Sequence, residues 1–404
     1  MGTEQFQPVI VRSKKDSYIF VEGKPNADRF YVLMEGNVRL IREAIGKGAG
    51  TVLMPGEMFG LVSAMAGHGY IESAVAMSDV SLLAVERTQY GGLISKANSF
   101  AVNSIKSFSQ KLRELDVALS ERTLKSSSSG DPSHIFQIGE YYEKTGKPAQ
   151  ALYAYRQYLA HCPNADNKKA VVEKVAKLEN IVTGKAPVYP LDTMVQSYPK
   201  GHLLFAEGES GHTMYIIQAG QVKITKIVDN KEVILAVLNK GDIFGEMAIV
   251  EDKPRAATAE VCENCTLLVV NDKNFSTLIK EQPEMVVRIA SLMSERIWLL
   301  YRQLDNTFIE NPLGRIYDAL LIQLEKNRVQ LNSRESYQFN FGYNELMGMV
   351  GLSVIDNKHF DRKIAGDGKV AFKDDKVFVE DISAMQKEAV FYRRAQKISS
   401  LGKG

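Results

Sequence analysis

Ile243-Phe244-Gly245-Glu246-Met247-Ala248, continuing through Pro254-Arg255-Ala256-Ala257-Thr258 to Leu267-Leu268, aligns without a gap on the stretch from Met58-Phe59-Gly60 to Leu82-Leu83. The offset is a constant 185 (245 against 60, 267 against 82). Upstream, Phe205-Ala206-Glu207-Gly208 faces Phe20-Val21-Glu22-Gly23. After a one-residue shift, Ala219-Gly220-Gln221-Val222 faces Glu35-Gly36-Asn37-Val38. The chain therefore carries one module twice. In each copy, short runs of period two such as Tyr31-Val32-Leu33-Met34 and Met214-Tyr215-Ile216-Ile217 are broken by glycine turns, the pattern of a small all-β barrel or sandwich.

Composition bounds the rest. With 404 residues, 45% hydrophobic and 24% charged, two or three domains are expected rather than one large core. A net charge of +2 from 50 basic and 48 acidic residues gives no global field that would select nucleic acid or a membrane, so such a partner needs a local patch. The three cysteines, Cys162, Cys262 and Cys265, are too few for a disulfide framework, and a reducing cytoplasm is the expected location. The start of the chain shows no apolar signal, Phe6 stands where a myristoylation motif needs Ser or Thr, and no membrane span is expected.

A helix is predicted after each copy. Ile105, Phe108, Leu112, Leu115 and Leu119 form one apolar seam, and Val286, Ile289, Met293, Ile297, Leu300 and Leu304 form another. Each seam suits a homodimer through the long helices or packing within the chain. Between the copies, Ser126-Ser127-Ser128-Ser129-Gly130 and Thr183-Gly184-Lys185-Ala186-Pro187 read as breaks around a helical segment, 131–182. The spacing of Ile138, Gly139, Tyr142, Gly146, Ala151, Tyr155 and Pro163 resembles one tetratricopeptide repeat, with Asn167 to Asn180 as a capping helix. One repeat is too short for a long peptide groove, so a spacer is favoured over a protein-docking module. Asn311-Pro312 is a helix entry. The helix from Leu313, the segment Tyr343–Val350, the turn Gly351-Leu352-Ser353 and the segment from Val354 together suggest a helix-turn-helix. A two-stranded wing follows at Lys369–Phe372 and Lys376–Val379, and the tail reads as a frayed basic helix. The expected domains are thus 1–125, 131–182, 190–306, 311–382 and 383–404, in an α+β multidomain chain.

The chemistry concentrates in 244–259. Glu246 and Arg255 stand nine residues apart in a frame of Gly and Ala. A cyclic nucleotide asks for that combination: a bidentate guanidinium and backbone N–H groups for its single phosphate anion, and a carboxylate to accept its ribose 2′-OH. A surface Glu–Arg pair would have the same spacing and be worth under about 1 kcal/mol. The segment resembles the phosphate-binding cassette of cyclic nucleotide-binding domains, the jelly-roll modules of cAMP-dependent kinase regulatory subunits, cyclic nucleotide-gated channels and catabolite activator-type transcription regulators. That resemblance implies two jelly-roll barrels, with Glu246 on the ribose and Arg255 on the phosphate. Phe244, Gly245, Met247 and Ala248 would frame the ribose-phosphate, with Ala256 and Ala257 beside it. Ala256, where Thr accompanies cGMP preference in the family, leans the site to cAMP. The base is expected under the long C-terminal helix, where Trp298 and Tyr301 either stack on it or belong to the seam. Leu300 and Tyr301 depart from the hydroxyls that bacterial activators carry there.

In copy one, Glu246 falls on Leu61 and Arg255 on Tyr70. An apolar pocket would desolvate a cyclic phosphate without pairing it. One nucleotide per chain is therefore expected, with copy one as a partner domain or a binder of something less polar. The resemblance to catabolite activator-type regulators extends into the C-terminal third and implies DNA binding. Ser353, Asn357, Lys358, Arg362 and Lys363 are the candidate contacts, although the expected recognition helix starts with Val354 and Ile355. Residues 309–404 hold 15 Lys and Arg against 13 Asp and Glu, a mild footprint. The alternative is a cyclic nucleotide sensor that leaves DNA alone and works through protein contacts. The six histidines are scattered, Cys262-Glu263-Asn264-Cys265 lacks a second pair, and no phosphate loop or nucleophile elbow occurs. Neither a metal, a cofactor nor an enzyme is expected.

Overall fold

The computed structural model describes residues 8–25, 27–42, 50–124, 133–182, 193–228, 230–246, 254–351, 366 and 368–401. Copy one comprises β1 (Val9–Ser13), β2 (Tyr18–Phe20), β3 (Arg29–Glu35), β4 (Val38–Ile41), β5 (Gly50–Leu53), β6 (Met58–Phe59), the short helix α1 (Leu61–Ala66), β7 (Ser73–Ala76) and β8 (Val80–Glu86). Next come α2 (Tyr90–Lys96) and the 27-residue α3 (Asn98–Leu124). The helical segment is α4 (His134–Lys144), α5 (Pro148–His161) and α6 (Lys168–Ile181). Copy two repeats the first plan with β9 (Val195–Tyr198), β10 (Leu203–Phe205), β11 (Thr213–Ala219), β12 (Val222–Val228), β13 (Lys231–Leu238), β14 (Ile243–Phe244), β15 (Thr258–Val261) and β16 (Cys265–Asn271). It is followed by α7 (Asp272–Glu281) and α8 (Pro283–Thr307).

The duplication is visible strand by strand. Copy one has two four-stranded sheets, β1-β8-β3-β6 and β2-β7-β4-β5, and copy two has β9-β16-β11-β14 and β10-β15-β12-β13 in the same order. All pairs are antiparallel. Each copy is a sandwich of two sheets rather than the closed barrel expected. Alternating apolar residues fill the space between them, Leu33, Val38, Ala74 and Leu82 in one copy and Ile217, Val222, Ala259 and Leu267 in the other. Alternation records which face is buried but not whether a sheet closes on itself.

The chain divides into two compact units, each gathered from separated segments. One holds Thr88–Arg113 and Ser128–Ser294, which places copy two with the helical segment and the first half of α3. In that unit the helical segment is docked, not a free spacer. Ile135, Ile138, Tyr142, Ala151 and Tyr155 share one core with Leu203, Ala206 and Ile227 of copy two. Charged groups close the margin: Glu260 accepts Lys223 at 3.0 Å and Lys147 at 3.5 Å, and Glu207 meets His134 at 3.5 Å.

The other unit holds Pro8–Arg87, Glu114–Ser127 and Glu295–Gly404, which joins copy one to the second half of α8 and the C-terminal elements. These are α9 (Pro312–Lys326), β17 (Tyr337–Gln338), α10 (Tyr343–Met349), β18 (Val370–Lys373), β19 (Lys376–Val379) and α11 (Ile382–Leu401). Asn311 caps α9 as its sequence suggests, its side chain accepting the N–H of Leu313 at 2.9 Å. The strands β18 and β19 pair through a turn in which Asp374 and Asp375 take positive φ. The tail is not a frayed helix. Met385 and Ala389 of α11 enter the core under α9, Tyr392 stacks on Tyr317, and Arg393 pairs with Asp318. The junction of α8 with α9 is tied by Asn306, whose amide donates to Arg315 O at 2.8 Å and Asp318 Oδ2 at 2.9 Å, and by Arg302 on Glu325 at 3.0 Å. The expected second helix of the helix-turn-helix, and with it Ser353, Asn357, Lys358, Arg362 and Lys363, lies outside the described residues. Among the described residues no helix is long and apolar enough to cross a membrane, and no cluster of three His, Cys, Asp or Glu could hold a metal.

Candidate functional site

The site forms where the turn after β10 meets the chain entering β15. Arg255 is bridged to that turn by backbone alone: its N–H donates to Glu209 O at 2.8 Å, and Gly208 N–H donates back to Arg255 O at 2.9 Å. The guanidinium lies over the Phe205 ring at 4.1 Å and gives Nη1 to Gly245 O at 2.9 Å. Phe205, Tyr215 and Phe244 form a continuous aromatic floor, Tyr215 and Phe244 stacking at 5.1 Å. Two glycines make room. Gly245 has φ +73, and a Cβ there would stand 2.9 Å from Arg255 Nη1. A Cβ on Gly211 would come within 2.7 Å of Nη2.

Arg255 is only 5% exposed and Glu246 is wholly buried. Burial pulls the arginine's pKa down, against Tyr215, Glu209, Tyr153 and Glu246, which favour its charged form. A guanidinium stays protonated under any such pull, so the site holds a desolvated, oriented cation. A group of that kind captures a phosphate far more strongly than an exposed lysine. The structure thus brings together Phe244, Gly245, Glu246, Arg255 and, at the strand entry, Ala256 and Ala257. Ala257 belongs to the core of copy two. Met247 and Ala248 lie outside the described residues.

Trp298 and Tyr301, expected either on the base or in the seam, are both buried. Trp298 and Tyr301 belong to the unit that holds copy one. Trp298 stacks on His68 with ring centroids 3.8 Å apart, and Tyr301 receives the Arg42 guanidinium at 3.8 Å. Arg42 pairs with Asp305 at 2.8 Å and His68 with Glu295 at 2.9 Å. The helix that reaches the cassette of copy two is α3: Ser109 Oγ donates to Glu246 O at 2.8 Å and Arg113 Nη1 to Pro254 O at 3.1 Å. Neither residue stands in a motif, so the sequence offers only the apolar seam beside them. Tyr153 of α5 is a second unheralded neighbour, its hydroxyl on both carboxylate oxygens of Glu209 at 3.1 and 2.9 Å.

Copy one has the same frame with different contents. Tyr70 N–H donates to Lys24 O at 3.2 Å and Gly23 N–H to Tyr70 O at 2.7 Å, the bridge that holds Arg255 in copy two. Tyr70 takes the arginine's place on the aromatic floor, stacked on Phe20 at 3.9 Å, with its hydroxyl on Arg29 O at 2.9 Å. Leu61, in the place of Glu246, is buried.

Residues 10–97 and 195–282 each match the family model described as cyclic nucleotide-binding domain. The chain is similar to the cAMP-activated global transcriptional regulator CRP of Salmonella typhimurium, 29% identical over 161 residues, which covers 39% of this chain and 76% of the relative. It is also similar to the cyclic AMP receptor protein of Thermus thermophilus, 28% identical over 157 residues, 39% of this chain and 69% of the relative. Among solved structures, a transcriptional regulator of the CRP/FNR family from Thermus thermophilus aligns over 48% of this chain and 98% of its own, with 19% identity and a TM-score of 0.37. Two sandwiches of one strand order and two matches to one family model agree: residues 10–97 and 195–282 each resemble a cyclic nucleotide-binding domain, and the chain is similar to proteins named as cAMP-activated transcriptional regulators.

Proposed function

We propose that this chain is a cyclic nucleotide sensor that binds one nucleotide, cAMP by preference, in copy two and controls transcription through a C-terminal winged helix. The observation that carries the reading is the contrast between the copies. On one backbone frame, copy two buries Arg255 and Glu246, whereas copy one fills the same positions with Tyr70 and Leu61. Arg255 would hold the cyclic phosphate, Glu246 the ribose hydroxyl, and Gly245 with the adjoining Met247 and Ala248 the sugar-phosphate edge. Ala256 favours cAMP over cGMP. No step of this is a reaction, and the protein is read as a regulator rather than an enzyme.

The route to the output is α3. It touches the cassette of copy two through Ser109 and Arg113, and near its other end Arg122 lies 4.0 Å from the Phe308 ring, beside the junction of α8 with α9. A nucleotide that binds better to one placement of α3 shifts the population toward it, by no more than its difference in affinity for the two states. The winged-helix reading rests on the order α9, α10, β18, β19, and DNA binding on the relatives named as transcription regulators. A gel-shift or polarisation titration on genomic fragments, with and without cAMP, tests it. Salt-sensitive binding that strengthens with cAMP is expected; absence of binding in both conditions would instead favour a sensor working through protein contacts.

A further inference from the structure

We propose that Tyr153 of the helical segment is a positioning residue for the phosphate-binding arginine: it holds the Glu209 carboxylate in place and so keeps Arg255 available to a cyclic phosphate. This rests on the nucleotide reading of copy two. Glu209 and Arg255 cannot move apart, because the Glu209 carbonyl takes the Arg255 N–H at 2.8 Å and the adjoining Gly208 N–H returns to Arg255 O at 2.9 Å. A half-buried carboxylate so close to a buried guanidinium would ordinarily pair with it. Here its lone pairs are taken elsewhere, Oε2 by Ala206 N–H at 2.9 Å and both oxygens by the Tyr153 hydroxyl at 2.9 and 3.1 Å. Arg255 Nε is buried and meets no hydrogen-bond partner among the described residues, while Nη1 is spent on Gly245 O.

Three further observations fit. Each of the two charges bears on the protonation of the other, so they lie within mutual electrostatic reach. Burial and the neighbouring carboxylate push the Tyr153 hydroxyl well above its usual range, which keeps it a proton donor. In copy one, where the arginine is replaced by Tyr70, the residue at the place of Glu209 is Lys24, and the carboxylate that would need restraint is gone too. Tyr153 is held in register by the shared core of the helical segment with Leu203, Ala206 and Ile227, so the docking of that segment is connected to the site through one hydroxyl.

The test is calorimetric titration of the full chain with cAMP for the wild type, Y153F, E209Q and the double variant, with thermal melting of each as a check on folding. Without the hydroxyl, the carboxylate turns to Arg255 and competes with the phosphate. Y153F should bind about tenfold more weakly, the size of one charge-assisted hydrogen bond. The double variant should recover to within about twofold of E209Q, because an amide does not compete as an anion. A purely structural role for Tyr153 predicts no such rescue. Y153F within twofold of wild type, or a double variant as weak as Y153F, would overturn the proposal. A wild type that binds no cAMP would fail at the earlier step, the nucleotide reading, and take this proposal with it.

Discussion

Replacing Arg255 tests its proposed role as the phosphate anchor. The guanidinium is 5% exposed, lies on Phe205 and spends Nη1 on Gly245 O, leaving its remaining N–H groups for a ligand. Two charge-assisted hydrogen bonds at roughly 1.5–3 kcal/mol each would be lost in R255A, about 3–6 kcal/mol in all. At about 1.4 kcal/mol per decade, the Kd for cAMP should rise on the order of 10²- to 10⁴-fold. R255K keeps a charge but not the planar fork, and should fall between, with a loss on the order of 10- to 100-fold. Isothermal titration calorimetry measures both variants, and a melting curve shows whether copy two remains folded without the buried cation. An R255A variant within fivefold of wild type would refute the assignment, since a surface pair worth under about 1 kcal/mol has no larger effect.

Gly211→Ala places a methyl 2.7 Å from Arg255 Nη2, so the guanidinium must shift; nucleotide affinity should drop about tenfold by calorimetry with little change in melting temperature. Replacing residues 133–182 by a flexible linker uncovers Leu203 and Ile227, now 3% and 7% exposed. At roughly 1.5–3 kcal/mol for each side chain, copy two should lose about 3–6 kcal/mol and melt about 10 °C lower or more, whereas an unchanged melting curve would restore the spacer reading. His134 has its pKa raised by the Glu207 carboxylate 3.5 Å away, against desolvation. A group whose folded pKa is raised adds stability that is complete below its unfolded value near 6.5 and is lost as pH rises through the folded value. Urea midpoints of wild type and H134Q should therefore differ more at pH 5.5 than at pH 8.5, and a constant difference would contradict the pairing.

The internal repeat made much of this legible, because it supplied its own control. A carboxylate and an arginine at 246 and 255 are ambiguous alone, but set against Leu61 and Tyr70 on the same frame they separate a charged pocket from a filled one. The structure locates that difference on equivalent backbone bridges to Glu209 and Lys24. The partners of the long helices were not legible. An apolar seam shows that a helix is buried without showing what buries it: Trp298 packs with His68 and Tyr301 with Arg42. Ser109, Arg113 and Tyr153 act through single hydrogen bonds to backbone or to one carboxylate, and no spacing rule marks such contacts. The docking of the helical segment on copy two is not legible in the sequence for a related reason. Tyr142, Tyr155 and Ile138 close a hairpin as readily as they cover a sheet, and Leu203, Ala206 and Ile227 of copy two complete their core.

The central claim is that one of two homologous domains keeps the nucleotide. Calorimetry of the full chain with saturating cAMP measures it directly through the stoichiometry. The account predicts one site per chain in the wild type and in Y70A, and none detectable in R255A over the same concentration range. Two equal sites in the wild type, or a site that survives in R255A and disappears in Y70A, would contradict it.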